Sequence, residues 1–267
     1  MFEDFTEPLN QRWTQTCIGR GSLQICDSTL RMGFESAWRG EYTDAQIDDY
    51  ARLARSAFPW KPPLRMEVRS RASLPAAGPS ATSETVGILR GTAGFGFWNY
   101  PFSVKGDFLM LPESIWFFYA SPPSDMAFVP GVPGWGWKAQ VIHSLRLEAL
   151  AATVPTALTT ALALATGQTR AAGRWLQRLT GAHEAVLPVD MTEWHTYRLE
   201  WHRKEALFWV EDALVLRAPH PPTRPLGFVA WLDNQYAIAT PRGMIRFGTV
   251  PSGPQWFELD SIRIERL

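Results

Sequence analysis

Cysteine is nearly missing from this chain: Cys17 and Cys26 are the only two in 267 residues. With no CxxC and no Cys/His cluster, no structural zinc is expected, whereas Asp48 and Asp49 could contribute to a calcium site. Both residues fit reduced thiols. The alternative is a cross-strand disulfide, because they flank "IGRGSLQI", which reads as a hairpin turning at Gly19–Ser22. Net charge is missing as well. The 26 basic and 26 acidic side chains cancel, so the balance argues against nucleic acid or an anionic membrane as partner. No run approaches the ~20 apolar residues of a membrane span. The opening "MFEDFTEPLN" lacks the apolar core of a secretory signal, so the expected compartment is the cytoplasm. There is no GxSxG elbow and no Ser-His-Asp ordering. No cofactor is implied.

What the chain has in abundance is aromatic and proline: 13 Trp, 15 Phe, 6 Tyr and 21 Pro. "LRMEVRSRA" (64–72) alternates strictly, with Leu64, Met66 and Val68 on one face and Arg65, Glu67, Arg69 and Arg71 on the other, which is a half-buried strand. Further short strands are expected at 94–100, 114–120, 134–142, 194–202, 206–212, 213–218, 225–233 and 255–265, separated by Pro/Gly turns. Many short strands of this kind indicate a sandwich or barrel. "EYTDAQIDDYARLARSAF" (41–58) reads as a long polar loop or a short helix. Residues 144–181, rich in Ala and Leu, read as an inserted helical segment that could serve as a lid or a dimer contact. No domain boundary is visible, so residues 1–267 are expected to form one β domain.

"GTAGFGFWNYPF" (91–102) echoes a phosphate-binding glycine loop but lacks the following Lys-Ser/Thr. It reads instead as a strand whose glycines let rings or a ligand approach closely. Period 2 puts Phe95 and Phe97 on one face, and Gly96 and Trp98 on the other. On "SIWFFYA" both faces are apolar, Ile115/Phe117/Tyr119 and Trp116/Phe118/Ala120, so both must be covered.

Three stretches carry a family resemblance. They are "FEDFTEPLNQRWTQTCIGRGSLQICDSTLRM", "PPLRMEVRSRAS" with "GTAGFGFWNYPF", and "EWHTYRLEWHRKEALFWVEDALVL" with "WFELDSIRIE". Together they resemble the concanavalin A-like lectin/glucanase superfamily, and within it glycoside hydrolase family 16. The resemblance implies an all-β jelly-roll sandwich of two antiparallel sheets, one bent into a concave cleft, here with the helical segment inserted. That family carries an E-x-D-x-x-E or E-x-D-x-E motif on one cleft strand. The corresponding "LPESIWFFYASPP" has a single carboxylate, Glu113, and no catalytic residue carries over.

The expected function is therefore binding of a glycan or small molecule on an aromatic face, without ordinary glycosidase activity. The ligand-binding candidates are Trp98, Trp116, Phe118, Trp137, Trp231, Asn234, Gln235, Tyr236 and Arg69. Loop-borne amides and rings can orient a ligand in an apolar pocket, and an arginine can hold a carboxylate or hydroxyl. One alternative is an isomerase, cyclase or lyase acting on an apolar molecule under the helical segment, with Asp233, Glu113 or His143 as acid/base. The other is an interaction protein that dimerises through that segment.

Overall fold

The computed structural model describes residues 1–6, 8–100, 112–143, 181–239 and 245–267. Apart from Gly181, the segment read as a helical insertion, lid and dimer contact lies outside the described residues. Two antiparallel sheets face each other. The eight-stranded sheet runs β13 (Ala213–Pro219), β12 (Glu205–Val210), β11 (His195–Trp201), β6 (Leu64–Ala72), β17 (Gln255–Arg266), β4 (Thr29–Phe34) and β3 (Ser22–Cys26), with β1 (Phe2–Glu3) paired to β17. The seven-stranded sheet runs β10 (His183–Val186), β9 (Gly136–His143), β8 (Glu113–Ala120), β7 (Thr92–Trp98), β14 (Gly227–Asp233), β5 (Asp44–Asp48) and β2 (Thr14–Ile18). β15 (Gln235–Ala239) and β16 (Ile245–Thr249) form a separate ribbon. Among the described residues, no helix is long and apolar enough to cross a membrane.

The alternation of each strand sets the core. Phe95, Phe97, Phe117 and Trp137 point inward from the seven-stranded sheet and meet Tyr197, Trp201, Phe208 and Phe257 from the other. Ring centroids across the gap lie 5.3 Å apart for Phe117–Phe208 and 5.5 Å for Phe97–Trp201, within the range where tilted and edge-on rings attract. The charged row of β6 faces outward and is paired across strands: Arg65 with Glu200 at 2.8 Å, Arg69 with Asp260 at 3.2 Å, Arg71 with Glu258 at 2.8 Å. Arg65 and Arg71 face their partners in register, and Arg69 reaches Asp260 at the bulge of β17; opposite charges on neighbouring strands are the ordinary solution for a solvated sheet face.

Two local expectations are corrected. β2 and β3 do not form a hairpin, because the turn between them sends each strand to a different sheet. The hairpin is β3–β4, turning at Asp27 and Ser28 with φ of 50° and 58°, as a two-residue turn matched to strand twist requires. Cys17 then pairs with Ala45 and Cys26 with Thr29, and both thiols are free and exposed. The polar stretch 41–58 holds a full strand, β5, followed by one 3-10 turn at Arg55–Ala57.

Candidate functional site

The outer face of the seven-stranded sheet is built in rows across the strands. Every second residue of a strand shares a face, so the pairing register fixes who neighbours whom. One row reads Asp48, Val229, Gly96, Trp116, Gln140, Glu184. The next reads Gln46, Trp231, Gly94, Phe118, Lys138, and the last Asp44, Asp233, Thr92, Ala120, Gly136. Aromatic rings occupy the centre, and ionisable groups stand at either side.

The glycines of β7 make the aromatic centre possible. A Cβ on Gly96 would lie 2.5 Å from Trp116 Cβ, and one on Gly94 would lie 3.1 Å from the Trp231 ring and 2.2 Å from Phe117 O. The indoles of Trp116 and Trp231 therefore lie close over a bare backbone, their centroids 5.3 Å apart. Phe118 stacks on Trp116 at 5.3 Å, Trp98 follows at 5.9 Å, and Tyr50 and Tyr100 close the cluster. Each indole N–H is satisfied: Trp98 donates to Tyr50 Oη, Trp116 to Gln140 Oε1, and Trp231 to Thr92 Oγ1. Trp231 and Phe118 are buried, whereas Trp98 and Trp116 keep part of their surface exposed.

At the β5–β14 side, Asp44 and Asp233 stand directly opposite each other. They are only 3% and 6% exposed. Asp233 Oδ1 accepts bonds from the Thr92 hydroxyl at 2.8 Å, the Thr92 amide at 3.2 Å and the Gln235 amide at 2.9 Å. Asp44 receives the Tyr42 hydroxyl, yet its Oδ1 is buried without a hydrogen-bond partner among the described residues. Loss of water raises both carboxyls. Asp44, also facing the charge of Asp233, is pushed up to about 8, and Asp233, held back by its three donors, to about 6. Two like charges this close cannot both ionise freely, so their protons leave at separated pH values. At the β9–β10 side, Lys138 lies 3.6 Å from Glu184, and Gln140 donates to Glu184 in a close contact. Burial lowers the lysine and raises the glutamate.

The sequence-derived candidates fall into four places. Trp98, Trp116, Phe118, Trp231 and Asp233 come together on this face. Trp137 does not reach it, since it pairs with Tyr119, points between the sheets and donates to Tyr197 Oη. Arg69 lies on the opposite side of the molecule, paired with Asp260 and over Trp194. Glu113 and His143 do meet, with 3.3 Å between Oε1 and Nε2, and burial raises Glu113 to about 7. They sit at the far end of the strands, level with Asn99 and so seven residues along the chain from Thr92, which faces Asp233, or about 24 Å at ~3.4 Å per residue. Asn234 is fully buried, and its amide holds main chain at Thr43, Glu41 and Val250. Gln235 is exposed, and Tyr236 lines a cavity of about 460 Å³ with Arg39, Arg90 and Thr249. Among the described residues, no cluster of three or more metal-ligating side chains exists.

Sequence reasoning missed Asp44, Lys138, Gln140 and Glu184, and placed Gln46 and Asp48 on a loop that could close over the cleft rather than on a strand. The signal for that strand was present: Asp-Ala-Gln-Ile-Asp alternates polar and apolar, the period of a half-buried strand.

No protein-family model matches the chain, and no curated protein is similar to it in sequence. Solved structures are similar in fold. A β-1,3-1,4-glucanase (lichenase) from a mouse hindgut metagenome is 12% identical, with 100% of this chain and 99% of that one covered and a TM-score of 0.52. The fold is a jelly-roll sandwich of the kind seen in that structure. An endo-acting O-glycanase of the human gut microbiota, described in connection with mucin breakdown, aligns over 100% of this chain and 98% of its own at 11% identity, TM-score 0.50. The endo-β-1,3-glucanase of Pyrococcus furiosus aligns over 99% and 92% at 10% identity, TM-score 0.50. The architecture expected from the family resemblance is thus present, with two antiparallel sheets and an aromatic outer face.

Proposed function

We propose that this protein binds a glycan on the outer face of the seven-stranded sheet. The carrying observation is the pair of part-exposed indoles, Trp98 and Trp116, 5.9 Å apart at 34° on that face. Sugar rings present apolar C–H faces that stack on indole, while carboxylates and amides beside the rings bind hydroxyls. Gln46, part-exposed on the same face and held by its donation to Asp48 Oδ2, offers such a group in its Oε1. The fold neighbours named above are glucan- and O-glycan-active enzymes, which supports a glycan over an unrelated small molecule. The strand that the family resemblance assigns to the catalytic acids presents Ser114, Trp116, Phe118 and Ala120 here. On this face β8 therefore contributes stacking side chains.

Tryptophan emission reads binding directly. Titration with oligosaccharides of β-1,3-glucan and β-1,3-1,4-glucan, and with mucin O-glycans, is expected to shift it for at least one of the three. Trp98→Ala and Trp116→Ala should each weaken that binding about 10-fold, the loss of ~1.4 kcal/mol of stacking. Unchanged emission with all three probes would refute the proposal.

A further inference from the structure

Tyr236 shares its cavity of about 460 Å³ with Arg39, Arg90, Ser83 and Thr249, and no acidic residue lines it. Among the described residues, neither arginine makes an ion pair. The nearest acids along the chain are placed elsewhere: Glu41 pairs with Arg20, and Glu84 lines an adjoining hollow. Arg90 is held in position without being neutralised. Its amide donates to Gln255 Oε1 at 2.9 Å, and its carbonyl accepts from Gln255 Nε2 at 2.7 Å. Its guanidinium donates to the Ser83 carbonyl at 2.9 Å and the Thr85 carbonyl at 3.4 Å. Carbonyls orient the fork but leave its charge uncompensated. Loss of water pulls the Arg90 pKa down, as for a cation short of a partner, although a guanidinium stays charged. The hydroxyls add donors. Thr249 Oγ1 accepts from the Gly40 amide at 2.7 Å, which leaves its proton to give. A Cβ on Gly248 would lie 2.6 Å from the Tyr236 ring and 2.7 Å from its Oη, so only bare backbone admits the phenol there.

We propose that this hollow binds an oxyanion between Arg39 and Arg90, with the Thr249 and Tyr236 hydroxyls donating to its remaining oxygens. A planar guanidinium matches the paired oxygens of a sulfate, phosphate or carboxylate, and a lining that offers two cations and no carboxylate selects against cations and neutral groups alike. The volume is that of a small-molecule site, ~300–1,000 Å³. A bare oxyanion has about the bulk of three waters at ~30 Å³ each, so the space fits an anionic group carried on a larger molecule. Position names the carrier. Thr92, Asp233 and Ala120 form the end row of the aromatic face, and Arg90, Tyr236 and Pro123, all lining the hollow, lie two or three residues outside that row. A sugar acid or sugar sulfate at the end of that face would set its anion there. The carrier rests on the glycan reading, whereas oxyanion recognition stands without it.

Isothermal titration in a low-salt buffer free of sulfate and phosphate tests this with five probes: glucuronate, glucose 6-sulfate, glucose, sodium sulfate and sodium phosphate. Both acidic sugars are expected to bind at least about 10-fold more tightly than glucose, and added sodium chloride should weaken them. Arg39→Gln and Arg90→Gln should each cost about 10-fold or more, as for loss of a charged hydrogen-bonding group. Arg203→Gln, an exposed charge on the β11–β12 turn of the other sheet, should change nothing. Arg39 is exposed, so its variant decides the matter even where Arg90→Gln fails to fold. Sulfate or phosphate binding as tightly as the acidic sugars supports the oxyanion site and overturns the sugar as its carrier. No binding of any anion overturns the proposal, and so does anion binding that Arg39→Gln and Arg90→Gln both leave unchanged. Emission shifts with the neutral glucan oligosaccharides and no anion binding would remove this site while leaving the glycan reading standing. Anion binding with no response to any oligosaccharide would do the reverse.

Discussion

Replacing Gly96 by alanine tests how the aromatic centre is held. The added Cβ would sit 2.5 Å from Trp116 Cβ and 2.6 Å from both Trp116 Cα and Ile115 O. Two of those three atoms are backbone of the neighbouring strand and cannot rotate away. Relief requires β7 and β8 to part, breaking ladder bonds between buried strands. Overpacking of this kind costs about 1–3 kcal/mol. Gly96 also has φ near +147°, a conformation that costs an L-residue about 1–3 kcal/mol more. The sum is about 2–6 kcal/mol, and at 2–4 °C per kcal/mol for a domain of this size it lowers Tm by roughly 10 °C. Gly253 is the control, because nothing lies within 4 Å of the point where a Cβ on it would stand, and Gly253→Ala should stay within about 0.5 kcal/mol of wild type. Thermal unfolding followed by circular dichroism gives both numbers. A Gly96→Ala protein melting within about 2–3 °C of wild type would refute the close approach of Trp116 to bare backbone, on which the site geometry depends.

Two further outcomes follow from buried charge. Asp44 has its folded pKa raised from 3.8 to about 8, so between those values the native state holds a proton that the unfolded chain gives up. Stability therefore falls as pH rises through this window, by at most about 6 kcal/mol at ~1.36 kcal/mol per unit. Asp233, raised to about 6, acts in the same direction over a narrower range. Melting curves from pH 5 to 9 should fall steeply for wild type and more gently for Asp44→Asn, and parallel curves would sink the reasoning. On the other sheet, Glu258 is 3% exposed and clamped by Arg31 at 2.6 Å and Arg71 at 2.8 Å. Glu258→Ala leaves both guanidiniums without their shared partner. Since both arginines reach solvent and can rehydrate, the expected cost is about 2–3 kcal/mol, the lower part of the range for broken buried pairs. A loss under about 1 kcal/mol in urea unfolding would mean that the clamp contributes little.

Strands whose two faces differ in chemistry are legible in the sequence. β6 alternates apolar and charged over nine residues, and one periodicity gives its element, its faces and its solvent exposure. β8 is legible in a weaker sense. With Trp, Phe and Tyr on both sides, it announces that both sides are covered but not which side meets the other sheet. That choice is set by pairing. Trp116 lies opposite Gly96 and Gln140, Trp137 opposite Tyr119, so two tryptophans that look alike in sequence end on opposite faces. β9 hides its polarity differently: Lys138 and Gln140 alternate with apolar residues like a solvated face, yet both are buried, satisfied by Glu184 from β10 rather than by water.

The acid pair is the least legible part, and the reason is physical. Asp44 lies in a stretch so polar that its five alternating residues read as loop or helix, and its partner Asp233 ends a strand far along the chain. Nothing local in either segment says that they meet. What brings them together is the apolar half of β5. Ala45 and Ile47 are fully buried among the inter-sheet residues, opposite Leu232 and Ala230 on β14. A slip of one residue would turn Asp44, Gln46 and Asp48 into that core, burying charge without partners at a cost of several kcal/mol each. Two small apolar side chains thus fix the register, and the register places one carboxylate against another on the outer face. The site is a consequence of how the core packs, which is why composition and local motifs point to the fold more readily than to the residues that give it chemistry.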